Sequence, residues 1–249
     1  MTVSGPSVSV ITVCKNSAAT IERTLESVVG CSYPGVQYVV VDGCSKDGTQ
    51  AILARYRRHI SKLISEPDLG ISDALNKAIG LTDGEYHILV HADDVLLPGA
   101  LECLAEAAVD SEAQVICGRA AVVNGARLVR LFVPEPAKLA RKMSIPHMGA
   151  LVRKQAWQAV GGYDLRRRIA MDHLFMLRIL GRYGLAGFRT VDSVVARYSL
   201  GGLSDRHVMR GFREVRDNLL EEGVGRWSAQ HAYVTLIVKA RIARILGVG

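Results

Sequence analysis

The stretch Gly84-Glu85-Tyr86-His87-Ile88-Leu89-Val90-His91-Ala92-Asp93-Asp94-Val95-Leu96-Leu97-Pro98 decides how the chain is read. It is apolar through Ile88, Leu89 and Val90, stops at His91-Ala92-Asp93-Asp94, and gives way at Pro98 to a new helix. Side chains alternate faces along a strand, so neighbouring aspartates converge on one ligand only where the strand becomes a turn. Asp93 and Asp94 are therefore expected at the carboxyl end of a buried strand. Two carboxylates there suit a hard divalent cation, which takes oxygen ligands and leaves positions for water and phosphate oxygens. The same pair also serves as an ordinary turn or helix cap, because Asp is frequent at both.

Upstream, strand and helix patterns alternate. Ser7 to Val13 reads as a buried strand and is followed by a helix with Ile21, Leu25, Val28 and Val29 on one face. Gln37 to Val41 is a second strand ending at Asp42-Gly43, and Ser45 to Thr49 turns into a helix bearing Ile52, Leu53 and Tyr56. A third strand over 60–65 ends at Glu66-Pro67-Asp68-Leu69-Gly70, and Ser72 is placed to cap a short helix with Ala74, Leu75, Ala78 and Ile79. This alternation predicts right-handed crossovers and a Rossmann-like mixed, mainly parallel α/β sheet with helices on both faces and a C-terminal helical region. Ligands of such sheets bind at the carboxyl ends of the strands. Those ends carry Thr12, Asp42, Asp68 and the Asp93-Asp94 pair, which makes one edge acidic.

That edge excludes a plain phosphate loop. No Walker sequence and no Gly-x-Gly-x-x-Gly run follows the first strand. Bare carboxylates would repel a diphosphate by about 4 kcal/mol per contact at an effective dielectric of 20. A bridging Mn2+ or Mg2+ reverses the sign, while Asp42 and Asp68 accept hydrogen bonds from a base or ribose.

Downstream the pattern is less regular. Leu101 to Val109 is helical, Val115 to Phe132 holds one or more strands with a turn at Asn124-Gly125, and a connection opened by Pro134 and Pro136 leads to Ile145-Pro146-His147-Met148-Gly149-Ala150. Arg153 to Val160 reads as a helix, Gly161-Gly162-Tyr163-Asp164 as a turn, and Arg168 to His173 leads into a helix with Leu174, Leu177, Ile179 and Leu180.

The chain has 249 residues, is nearly half hydrophobic and carries a net charge of +7. It is long enough for one large domain, and its charge level argues against disorder. Basic residues gather at Arg55, Arg57 and Arg58, at 166–168, and at Arg206, Arg210, Arg213 and Arg216, with no nucleic-acid-binding signature beside them. Five cysteines without paired spacing argue against a disulfide framework or a zinc site and for a reducing, cytoplasmic setting. No secretory signal and no membrane-spanning run are visible. The tail 228–249 reads as an amphipathic helix whose Leu236, Ile237, Val238, Ile242, Ile245 and Leu246 alternate with Lys239, Arg241 and Arg244. Such a helix packs on the body, pairs with a second subunit as a homodimer, or lies peripherally on the inner, anionic face of the cytoplasmic membrane.

Val8 to Asn16, Val39 to Thr49 with Asp42-Gly43-Cys44-Ser45-Lys46-Asp47-Gly48-Thr49, Ser65 to Lys77, and Ala92-Asp93-Asp94 together resemble the successive motifs of family-2 glycosyltransferases. The resemblance covers the first 100 residues. It implies the GT-A fold over 1–227, with a nucleotide-binding half over 1–100 and an acceptor-binding half over 101–227, followed by the helix over 228–249. It also implies inverting transfer of a sugar from a nucleoside-diphosphate donor, a UDP-sugar by default, to a sugar or lipid-linked sugar in polysaccharide or glycolipid biosynthesis. On the donor side it carries over Thr12, Val13, Asn16, Asp42, Asp68, Asn76, Lys77 and Asp93. The cation falls to Asp94 with Asp93, and to His207 if the late Gly201-Gly202-Leu203-Ser204 loop closes. The later His, Gly-Gly-aromatic-Asp turn and Asp resemble the family's acceptor region, which makes Asp172 the catalytic base, with His147 and Met171 at the acceptor. His91 departs from the Asp or Asn common before Ala-Asp-Asp, which leaves open which aspartate meets the metal. The residues also leave open a nucleotidyltransferase, although only Lys15 is available to a triphosphate near the first loop, and a nucleotide-sugar-binding scaffold without turnover.

Overall fold

Alternation along the first strand divides the core in two. The computed structural model describes residues 5–245, with side chains as far as Ile242. In β1 (Val8–Cys14), Ile11 and Val13 face one apolar cluster, and Val8, Val10 and Cys14 face another on the opposite side of the sheet. The same division runs through β2 (Gln37–Asp42), where Val39 and Val41 oppose Tyr38 and Val40. A strand buried on both faces needs helices on both sides. α1 (Ile21–Val29) and α2 (Thr49–Arg55) cover one face. Beyond β3 (Lys62–Ser65), α3 (Ile71–Gly80) covers the other.

β4 (Tyr86–Leu89) pairs parallel to β1, which completes a parallel block in the order β3-β2-β1-β4. Its last strand residue is Leu89, and Val90 already belongs to the exit. The chain continues through the two-residue β5 (Val95–Leu96) into α4 (Ala100–Ala108), then the hairpin of β6 (Val115–Asn124) and β7 (Arg127–Phe132).

The expected mixed sheet is found, with its parallel pairings concentrated in the first half. β8 (Ala150–Arg153) lies antiparallel between β4 and β6, and β9 (Phe188–Ser199) runs parallel to β6 and antiparallel to β5. The sheet is mixed, parallel in its first half and mostly antiparallel beyond it. Between and after these strands come α5 (Lys154–Val160), α6 (Met171–Tyr183), the short α7 (Leu203–Arg206), α8 (Val208–Glu221) and α9 (Arg226–Ile245). α9 starts two residues before the expected tail helix. The expected apolar residue Leu246 and the end of that helix lie outside the described residues.

The reversal at β8 positions the site. Leu151 is opposite Ile88 and Arg153 opposite Tyr86, so the amino end of β8 stands beside the carboxyl end of β4. The turn His147–Gly149, immediately before β8, is thereby delivered to the edge that carries Asp93 and Asp94.

Candidate functional site

The parallel strands end together, and their end residues tie the loops of that edge to one another. Thr12, fully buried, donates its hydroxyl to the Val90 carbonyl (2.8 Å) and receives the Tyr38 hydroxyl (3.0 Å). It therefore anchors the exit of β4 just ahead of Asp93. Val13 packs in the core. Asn16, exposed and left-handed with φ 51°, accepts from Lys46 N (2.9 Å), and its own N–H donates to Ser45 Oγ (2.8 Å). Asn tolerates that backbone region better than most residues.

Asp42 differs from the expectation. It is 0% exposed, and its oxygens accept from Ser45 N (3.1 Å), Ser45 Oγ, Ser65 Oγ (2.6 Å) and Gln50 Nε2 (3.1 Å). Burial pushes its carboxyl up, but these donors outweigh burial and hold it below the ordinary value. Asp42 organises the loop after β2 from inside. Asp68 lies against that loop: its Oδ2 is 3.4 Å from Lys15 Nζ, and a Cβ on Gly43 would sit 2.0 Å from the same oxygen. A side chain at position 43 would have to displace the Asp68 carboxylate. Lys77 reaches inward to the Pro67 carbonyl (2.9 Å), Glu66 (2.9 Å) and Asp73 (3.1 Å), bracing the loop after β3.

At the end of β4 the two aspartates have different surroundings. Asp93 is partly exposed and faces the late loop, where a Cβ on Gly202 would lie 3.2 Å from its Oδ2. Asp94 is 1% exposed: Oδ1 accepts from Ser199 N (3.2 Å), while Oδ2 is buried without a hydrogen-bond partner. Burial, and then the Asp93 charge, raise its carboxyl well above the usual range. An orphaned carboxylate oxygen beside a second carboxylate is satisfied by a proton or a cation. The pair thus fits a divalent ion held by two protein carboxylates, with phosphate and water oxygens completing its shell.

His207 does not join them. Among the described residues no group of three His, Cys, Asp or Glu side chains is assembled to hold a metal. His207 is exposed and terminates α7, its N–H bonded to the Ser204 carbonyl (3.3 Å) and its carbonyl to Gly211 N (3.0 Å).

The second half supplies Asp172, in the first turn of α6. It keeps partial solvent access, and its Oδ1 accepts from His173 N (2.7 Å). Burial, reinforced by the Glu214 charge, raises its carboxyl to about 6, against the pull of the helix dipole. The segment before it is fixed from α8. Glu214 accepts from the N–H groups of Arg168 (3.1 Å), Ile169 (2.8 Å) and Ala170 (2.9 Å), and Asn218 Nδ2 donates to the Ala170 carbonyl (2.8 Å). Ser72, expected as a helix cap, instead donates to the Arg167 carbonyl (3.1 Å), which docks this segment on the carboxyl edge. Sequence reading missed Glu214 and Asn218; they are distant in sequence and sit in an arginine-rich helix that shows no motif.

His147 and Met171, expected at the acceptor, are both buried. Met171 packs in the core. His147 Nε2 meets the Tyr163 hydroxyl at 2.9 Å, its ring is edge-on to Tyr163 and Phe175, and burial with the neighbouring charges of His91 and His87 lowers it to about 3. It is a neutral core histidine. Asn76 clamps the Gly-Gly-Tyr turn with both amide atoms, Nδ2 to the Tyr163 carbonyl (2.8 Å) and Oδ1 from Tyr163 N (2.9 Å). It joins the two halves and does not project from either. Tyr163 is close enough to Asp172, His147 to His91, and His91 to Asp93 for each to feel the other's charge. Of these pairs only Tyr163 and His147 are hydrogen-bonded, and among the described residues no hydrogen bond joins Asp172 to the Asp93-Asp94 turn. A hollow of about 1040 Å3 lined by Glu85, Asp110, Gln114 and Arg153 opens at the opposite edge and includes none of these residues.

The model for glycosyl transferase family 2 matches residues 9–175. The chain is a family-2 glycosyltransferase. Among relatives of this glycosyltransferase, the succinoglycan biosynthesis protein ExoO of Rhizobium meliloti strain 1021 is 33% identical over 267 residues, covering 86% of this chain and 76% of ExoO. The structure of S. aureus TarS residues 1–349 in complex with UDP-GlcNAc superposes with a TM-score of 0.67 at 17% identity, over 93% of this chain and 71% of that one. The mannosyltransferase PcManGT from Pyrobaculum calidifontis, in complex with GDP-Man and Mn2+, gives 0.61 at 17% identity, over 97% and 76%. The glycosyltransferase thus has the GT-A fold of these neighbours.

Proposed function

We propose that this glycosyltransferase moves a sugar from a nucleoside-diphosphate donor to a hydroxyl of a sugar or lipid-linked sugar, with inversion and with a divalent cation, in polysaccharide or glycolipid assembly. The observation that supports the reading is Asp172 in the first turn of α6, partly open to solvent, on a segment that the Ser72 hydroxyl docks against the carboxyl edge where Asp93 and Asp94 follow β4. Direct displacement at the anomeric carbon needs a base on the acceptor side, opposite the leaving group. Asp172, ionised near neutrality and partly open to solvent, takes the proton from the acceptor hydroxyl. Asp93 and Asp94 hold the cation, which when bound supplies Lewis-acid stabilisation to the departing diphosphate. Asp93, the more open of the two, also reaches the donor. Lys15 and Asp68 border the nucleotide side, and Asn16 sits at its rim.

ExoO acts in succinoglycan biosynthesis, and the two structural neighbours were captured with UDP-GlcNAc and GDP-Man. These support a nucleotide-sugar donor, with UDP as the first nucleotide to test. The experiment is release of nucleoside diphosphate across a panel of UDP-, GDP- and dTDP-sugars, with and without acceptor and chelator. Diphosphate release that requires both acceptor and cation is expected. Pyrophosphate release would point to nucleotidyl transfer, and tight donor binding without either product to a scaffold.

A further inference from the structure

α9 has two apolar faces, and the fold uses one. Ala229 and Ala232 are buried and Leu236 packs against the main core, while the Arg216 guanidinium lies over the Tyr233 ring at 5.2 Å. These contacts seat the helix on α8. Trp227, 87% exposed, and the exposed Val234, Val238 and Ile242 follow at intervals of seven, four and four, which places them, with the exposed His231 among them, in one stripe on the opposite side. A helix in an aqueous protein normally turns only its packed stripe apolar, so the second stripe calls for a partner.

Charge selects that partner. Arg241 borders the stripe, Arg226 and Lys239 are exposed about a quarter-turn to either side of it, and no Asp or Glu occurs between Arg226 and Gly249. The nearest acids in sequence, Glu221 and Glu222, are occupied by Arg166, Arg167 and Arg178 at 2.7–3.1 Å. A second copy laid stripe to stripe would bring cations against cations with no acid from either helix to offset them. An anionic lipid surface meets both features, accepting the apolar stripe at the headgroup boundary and the cations among the headgroups.

We infer that α9 is a membrane-docking helix, lying in the plane of an anionic bilayer with Trp227, Val234, Val238 and Ile242 inserted and Arg226, Lys239 and Arg241 at the phosphates. None of these residues belongs to the transfer site, so the inference stands or falls separately from the proposed function. The test is co-sedimentation of the full chain with vesicles of phosphatidylcholine alone and of phosphatidylcholine mixed with phosphatidylglycerol. Binding to the mixed vesicles alone, reversed by salt, is expected. The double variant Lys239→Glu/Arg241→Glu should weaken it by more than about twenty-fold, from about fivefold per cation lost. Val238→Glu should also abolish binding while leaving diphosphate release in solution unchanged, which shows that the variant is folded. In Trp157→Phe protein, where Trp227 is the remaining indole, emission should shift to the blue on mixed vesicles and lose its quenching by iodide. Equal binding to both vesicles, binding that survives Val238→Glu, or no binding with a concentration-dependent dimer that Val238→Glu dissociates, each overturns the inference.

Discussion

Replacing Asp172 by Asn should stop transfer and at the same time stabilise the protein. The Asn amide keeps an oxygen for the His173 N–H but cannot carry charge or take a proton from an acceptor. In the folded chain burial raises the Asp172 carboxyl from 3.8 to about 6, so the native state holds that proton more tightly than the unfolded chain does. The sign follows from linkage: the penalty is absent below about pH 4, grows as pH rises towards 6, and is constant above it. A shift of about two units corresponds to about 3 kcal/mol, which partial solvent contact reduces to about 1–3 kcal/mol. For a chain of this size that is a melting temperature higher by roughly 3–9 °C at pH 7.5, and by about half as much at pH 5. Thermal melts of parent and variant at the two pH values, with diphosphate release as the activity assay, make the comparison. The parent's rate should fall below about pH 6, to about one-tenth of its plateau at pH 5. A variant that melts lower than the parent by the same amount at both pH values, or one that still transfers sugar, would refute the reasoning.

Glu214→Gln removes a buried negative charge beside Asp172, so the acid limb of the rate profile should move to lower pH, with a stability cost of about 1–3 kcal/mol from weakened bonds to three backbone N–H groups. Asp94→Asn should leave the fold intact but eliminate the extra thermal stabilisation that a nucleoside diphosphate gives in the presence of Mn2+, about 2.7 kcal/mol at a hundredfold excess over Kd; an undiminished Mn2+-dependent shift would remove Asp94 from the cation site. Asn76→Ala breaks both bonds to the Tyr163 backbone and leaves a buried N–H unpaired, so a loss of about 2–4 kcal/mol in denaturant unfolding is expected.

The parallel half was legible because each of its strands is a short apolar run closed by a polar turn, Lys15-Asn16, Asp42-Gly43, Glu66-Pro67-Asp68 and Asp93-Asp94 in order, and each helix between them shows a single core stripe. β8 was not, because Ala150 to Arg153 is four residues long and follows a Pro- and Gly-containing turn. β9 was hidden for another reason. Its Arg189, Thr190, Asp192, Ser193 and Arg197 are exposed or only partly buried, so hydrophobic alternation is diluted along most of its length. At the site, residue type and strand-end position singled out Asp93 and Asp94 as candidates, and Asp172 came from the family resemblance. They could not show which way a side chain turns. That Asp42 points inward depends on Ser45, Gln50 and Ser65 meeting around it, and that His147 is a core residue depends on Tyr163 and Phe175, contacts set by tertiary packing alone.

The one reversed strand, β8, also separates what the two rims of the sheet are free to do. By running against β4 it brings the chain from His147 to Gly149 to the chemical rim and sends Arg153 to the far one, beside Glu85 and Gln114. Sequence drift, insertions or a grafted reporter at that far rim touch none of the side chains gathered at the other. Each catalytic loop, in contrast, is hemmed by neighbours from the other half of the protein. If those segments hold donor and acceptor as proposed, a change of acceptor preference has to be accommodated by the segments that also hold the donor, so new specificities should arise through paired substitutions across the rim and seldom through single ones.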